Sequence, residues 1–156
     1  MINFIIIFFV FLISGCQSNN SPNVSITPEL ENISFDVVEK RIFIETEIPS
    51  HMQMLFSQWF EQKVKIDGFD GEMSFTIFEY SEEISSIDNG KRVDISISFN
   101  VILNKPSLSQ IKTIEGYVNS YGILTGNFSI NEFDTLIKNT QSDLILRLSR
   151  DLKSKI

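Results

Sequence analysis

The sequence has one cysteine (Cys16), one histidine (His51) and one tryptophan (Trp59). A lone thiol closes no intramolecular disulfide, so covalent staples are excluded and Cys16 is free for another task. With one imidazole, neither a metal cluster nor a Ser-His-Asp arrangement can draw on a second histidine. Bases are also few: 13 Lys and Arg stand against 20 Asp and Glu, a formal net charge of −7. That balance argues against nucleic acid as a partner, because its binders concentrate positive charge. No internal repeat is visible, and the glycines at Gly68 and Gly71 do not match a phosphate loop.

What is present is apolar and uneven. The 156 residues, 42% hydrophobic with 14 phenylalanines, suit one domain with a substantial core. Residues 1–88 hold 14 acids and 4 bases, whereas residues 89–156 hold 6 acids and 9 bases. The basic end is therefore the C-terminal one. It is read as the solvated face of a helix or as a surface for anionic lipid or a partner.

The N-terminus is the most informative segment. Residues 2–13 (INFIIIFFVFLI) are almost wholly apolar. Twelve helical residues reach about 18 Å, well short of a hydrocarbon core of about 30 Å, so the run suits a signal-peptide core better than a permanent span. It ends in Leu12-Ile13-Ser14-Gly15-Cys16, which resembles the bacterial lipobox. The resemblance implies cleavage between Gly15 and Cys16, a diacylglyceryl group on the Cys16 thiol and an acyl chain on its freed amine. Two or three chains give stable membrane attachment. Position 17 is Gln rather than Asp, which by analogy with enterobacterial sorting implies the outer membrane, on its periplasmic face, rather than the inner one. The alternative is a buried apolar strand with an incidental cysteine. Residues 17–32 are polar, with Pro22 and Pro28, and read as a flexible tether.

Regular structure is expected from Ile33 on, as one domain over residues 33–156. Ile33, Phe35 and Val37 alternate, and Ile42 and Ile44 alternate in the opposite phase, predicting one bulged strand. Ser50 and Gln53 have capping-box spacing, and Met52, Leu55, Phe56, Trp59 and Val64 form a helical stripe ending before Gly68. A second strand is predicted over about residues 72–81, with Met73, Phe75 and Ile77 inward. An Asn89-Gly90 turn follows, since both residues tolerate positive φ. The third strand alternates Val93, Ile95, Ile97, Phe99, Val101 and Leu103 with polar residues, as in an antiparallel sheet covered on one face. A fourth is expected over about residues 111–121. The last element is a long helix opened by a Ser129/Glu132 capping box. Phe133, Leu136, Ile137, Leu144, Leu148 and Leu152 line one side of it, and the polar stretch 139–143 marks a potential bend. The order β-α-β-β-β-α predicts an α+β two-layer sandwich: a four-stranded antiparallel-type sheet with two helices on one face.

No catalytic or metal-binding residue emerges, no cofactor is implied beyond the lipid on Cys16, and the chain is read as non-enzymatic. His51 lies in the first turn of a helix without convergent partners. Two surfaces remain as candidates. Phe78, Tyr80 and Tyr117 are expected on the open face of the sheet as an aromatic patch for a partner. Arg147, Arg150, Lys153 and Lys155 crowd the end of the last helix, where cations favour the dipole and could contact anionic lipid.

From about Ile48 onward the chain resembles a family of uncharacterised alphaproteobacterial lipoproteins. The resemblance lies in a proline and short helix holding Trp59, the Gly68-x-x-Gly71 turn, an alternating strand pair, and a terminal helix with Leu148-Ser149-Arg150-Asp151-Leu152. It implies a location and no activity. The element order is also similar to the lipoprotein that plugs the lipopolysaccharide translocon and to auxiliary lipoproteins of ABC-type lipid transporters. The expected role is that of a structural or assembly factor working through protein contacts. The alternative is an accessory subunit of a lipid or lipopolysaccharide transport system, with an outer-membrane or ABC-transporter protein as partner.

Overall fold

The alternation of residues 93–101 is realised: Val93, Ile95, Ile97, Phe99 and Val101 are buried, with polar neighbours on the opposite face, while Leu103 at the end of the run is half-buried. A computed structural model describes residues 30–156, and in it this segment is the middle of three long strands. The elements are β1 (Ile33–Phe35), β2 (Glu39–Ile44), α1 (Ser50–Lys63), β3 (Val64–Ile66), β4 (Glu72–Ile87), β5 (Gly90–Lys105), β6 (Gln110–Thr125) and α2 (Ile130–Lys155). The fold is α+β. A four-stranded, mostly antiparallel sheet in the order β2-β4-β5-β6 is covered on one face by both helices.

The layer between sheet and helices is aromatic. Phe75 of β4 stacks on Phe99 of β5, with centroids 5.3 Å apart, and meets Trp59 of α1 edge-on at 5.4 Å. All three are fully buried, and such side chains stabilise by about 1.5–3 kcal/mol each relative to exposure. The indole N–H of Trp59 donates to Ser149 Oγ at 2.7 Å, joining the two helices. Gly116 of β6 lies under the Phe99 ring, where an added Cβ would stand 2.3 Å from ring carbon.

Several expectations give way. Residues 33–44 are not one bulged strand but two strands in different sheets. Val37 is buried, its N–H bonding the Phe35 carbonyl at 2.9 Å, and the chain turns there. β1 then pairs in parallel with β3, a short strand directly after α1, while β2 joins β4 in parallel as the sheet edge. Val64, expected on the helical stripe, is the buried first residue of β3. The Ser50/Gln53 capping box does not form. Pro49 occupies the N-cap position, so Ser50 is already inside the helix and Gln53 donates instead to the Ile48 carbonyl. The Ser129/Glu132 box does form, with Ser129 N–H donating to Glu132 at 2.7 Å. α2 runs unbroken through 139–143, where Thr140 and Gln141 are buried with partners. In the first hairpin the turn is Asp88-Asn89, positive φ falls on Asn89 alone, and Gly90 already pairs with Ile87. Leu30, the first of the described residues, is buried.

Candidate functional site

The aromatic patch depends on strand phase, and a bulge decides it. Ile77 faces Phe99, and the next register pair is Glu79 with Ser98, leaving Phe78 without a partner. Past the bulge the phase of β4 inverts. Tyr80 comes to lie opposite buried Ile97 and packs against the core. Its hydroxyl donates to Glu82, and burial, helped by that carboxylate, pushes the phenol well above its usual range. Tyr117 stays on the open face opposite Ser98, 63% exposed, and Phe78 is 41% exposed at the bulge. The three expected patch residues are thus divided between the two faces of the sheet.

What the open face presents instead is concentrated on β6. Tyr117, Tyr121 and Ile123 all project from it, and Ile111 stands at its start. Arg92 lies over the Tyr121 ring at 4.6 Å and is held by Asp94 at 2.7 Å. Beside Tyr117 runs a shallow polar groove of about 290 Å³, lined by Ser81, Ser96 and Asn119. The sequence signal for this stripe was the alternation that puts Tyr117 outward, continued two and three steps further along the strand.

The basic end of α2 is more neutralised than its sequence suggests. Arg147 pairs with Asp143 at 2.6 Å, Lys155 with Asp151 at 2.7 Å, and Lys153 with Glu31. Burial raises the Asp143 carboxyl, but hydrogen bonds from Arg147 and Ser120 outweigh it and hold the group below the usual carboxylate range. The Glu31 carboxyl is lowered by its hydrogen bond from Lys153. Arg150 is exposed. With Lys153 it borders a depression of about 260 Å³, closed on its other side by Leu30 and Ile33, where the described residues begin.

His51 sits on the first turn of α1 with its ring nitrogen 2.9 Å from the Gln141 amide. Among the described residues no group of three His, Cys, Asp or Glu is placed to hold a metal ion. Nor, among them, is any helix long and apolar enough to cross a membrane. Gly15 and Cys16, the expected processing and lipidation residues, lie outside the described residues.

No protein-family model matches this sequence, and no curated protein is significantly similar to it. Solved structures share its fold. A minor lipoprotein from Acinetobacter baumannii superposes with a TM-score of 0.50 at 10% identity, covering 76% of this chain and 93% of that one. A hypothetical protein from Chlamydia trachomatis gives 0.51 at 8% identity, covering 80% and 97%. At such identities the likeness is one of fold, and a lipoprotein is among the proteins that carry it.

Proposed function

We propose that this chain is a bacterial lipoprotein, anchored through Cys16 to the periplasmic face of the outer membrane, and that it works without catalysis by contacting other proteins. The carrying observation is the apolar run that closes on Leu12-Ile13-Ser14-Gly15-Cys16, joined to a domain whose fold is shared by a lipoprotein. Small residues before the cysteine let a peptidase reach the Gly15–Cys16 bond. Acyl chains on the cysteine then supply the attachment. Gln17 favours the outer membrane. The test is replacement of Cys16 by Ser in cells. The expected result is loss of lipid labelling and retention of the unprocessed precursor. Normal lipidation of that variant overturns the proposal.

A second reading, an accessory subunit for lipid or lipopolysaccharide transport, is favoured by the depression that Arg150 and Lys153 form beside Leu30. Leu30 is the described residue nearest in sequence to Cys16, so under this reading the depression lies close to the anchor. Under this reading, neutralising Arg147, Arg150, Lys153 and Lys155 reduces binding to anionic vesicles and co-purification with an outer-membrane or ABC-transporter protein. Unchanged binding by the neutralised variant removes it.

A further inference from the structure

Among the described residues three stretches of strand edge in this sheet are unpaired, the outer side of the six-residue β2, the half of β4 that β2 leaves uncovered, and β6, and the two longer ones are treated differently. β2 covers β4 only from Glu72 to Ile77. Beyond that point the outer half of β4 carries a bulge and three glutamates, Glu79, Glu82 and Glu83, devices that discourage edge pairing. β6 is the longest unpaired edge among the described residues, 16 residues long. It has no register break against β5, and its only charges are Lys112 and Glu115.

The direction of its free backbone groups follows from the ladder. Gly126 N–H donates to the Asn89 carbonyl at 2.8 Å, in the same register as the β5–β6 pairs. Even-numbered residues of β6 therefore bond β5, and odd-numbered ones aim both N–H and C=O outward. Lys155 Nζ bonding the outward Glu115 carbonyl at 2.9 Å agrees with this.

We infer that β6 is a self-association edge, at which a second copy of this chain adds its own β6 antiparallel about Tyr117 to make a continuous eight-stranded sheet. Two independent features select that occupant and that register. In the strand, a dyad at Tyr117 uses almost its whole length and sets Ile111 against Ile123, Thr113 against Tyr121, and Glu115 against Asn119. A dyad at Glu115 would set two like charges directly opposite, which is unfavourable. In the helix below, α2 packs chiefly on β6 and runs antiparallel to it: Gly116 is level with Asp151, and Ser120 bonds Asp143 at 2.8 Å. The dyad at Tyr117 thus falls between Arg147 and Asp151. Along this flank Asp143, Arg147, Asp151 and Lys155 recur every four residues with alternating sign. Placed antiparallel to itself about that midpoint, the stripe matches Asp143 with Lys155 of the partner subunit and Arg147 with Asp151 of the partner subunit. A two-fold interface requires this kind of self-complementarity. On pairing, Lys155 releases the Glu115 carbonyl to the incoming strand.

The test uses the full-length chain in its own membranes. Tyr117→Cys places a thiol on the dyad opposite its own copy, with Cα atoms about 5.5 Å apart in a hydrogen-bonded antiparallel pair, within disulfide reach. Mild oxidation should convert most of it to a species of twice the mass on a non-reducing gel. Ser85→Cys, on the outer half of β4, and the wild type, whose one thiol is Cys16, should give none. Independently, Arg147→Asp should reduce chemical cross-linking of the dimer at least tenfold, and Arg147→Asp with Asp151→Arg should restore it. The inference is overturned if Tyr117→Cys cross-links no more than Ser85→Cys. It is equally overturned if Tyr117→Cys cross-links to a protein of another mass, or if the double reversal fails to restore the dimer.

Discussion

The outer half of β4 and the whole of β6 pose the same chemical problem, a row of unpaired N–H and C=O groups beside water. They solve it in opposite ways. β4 answers with Phe78 squeezed out of register and with carboxylates at Glu79, Glu82 and Glu83. β6 stays regular, is backed from below by α2, and exposes Tyr117, Tyr121 and Ile123 on its open face. Charge and irregularity make an edge unfit as a template, while a long regular edge invites another strand. Which edge a protein leaves open is therefore a statement about its company.

The largest way to break this contrast is to remove what both edges rest on. Phe99 stacks on Phe75 and covers Gly116, so Phe99→Ala should cost about 3–5 kcal/mol, read as a lower urea midpoint. The next tests the direction of the β6 backbone. Val118 is buried and its N–H bonds β5, so Val118→Pro strands a carbonyl and should cost at least about 2 kcal/mol. Tyr117→Pro removes an N–H that no β5 carbonyl accepts, so in the detergent-dispersed monomer it should stay within about 0.5 kcal/mol by the same measurement, while weakening β6–β6 pairing. Equal costs for the two prolines would show that the edge assignment is wrong. Smaller again is the support from beneath. Ser129→Ala opens the capping box of α2 and should cost about 1 kcal/mol. Ser50→Ala at α1, where no side-chain cap exists, should change the midpoint by less than about 0.5 kcal/mol.

The smallest effect concerns pH. Asp143, bonded by Ser120 of β6 and by Arg147, has its folded-state carboxyl below the ordinary range. A depressed carboxylate contributes stability above its unfolded value of about 3.9, and that contribution is lost as pH falls through the folded value. Urea midpoints measured below about pH 4 should therefore decline less steeply for Asp143→Asn than for the wild type. An identical slope would show that the Ser120 and Arg147 bonds do not operate in solution.

Much of the architecture was legible in residue order. The β5 alternation, the inward Met73, Phe75 and Ile77, and the Ser129/Glu132 cap each report a local rule that nothing distant contradicts. The segment 33–44 was not legible in this way, because a bulged strand and two strands in separate sheets share one alternation pattern. The difference lies with Val64–Ile66, too short to announce itself. The Ser50 cap failed by a single residue, since Pro49 lay one step ahead of it. Tyr80 was misplaced because a period-two pattern is read from a fixed phase. One extra residue at Phe78 sends every later side chain of β4 to the other face.

Local chemistry along the chain determined the α+β class, most of the inward faces and the cap on α2. These depend on spacings within a few residues, where period and hydrogen-bond reach leave little choice. Contacts between residues far apart in the chain decided the rest: β1 with β3, the bulge where β2 stops covering β4, and the open edge at β6. Burial and strand pairing between distant segments are collective, so no short window of sequence contains the competition that settles them.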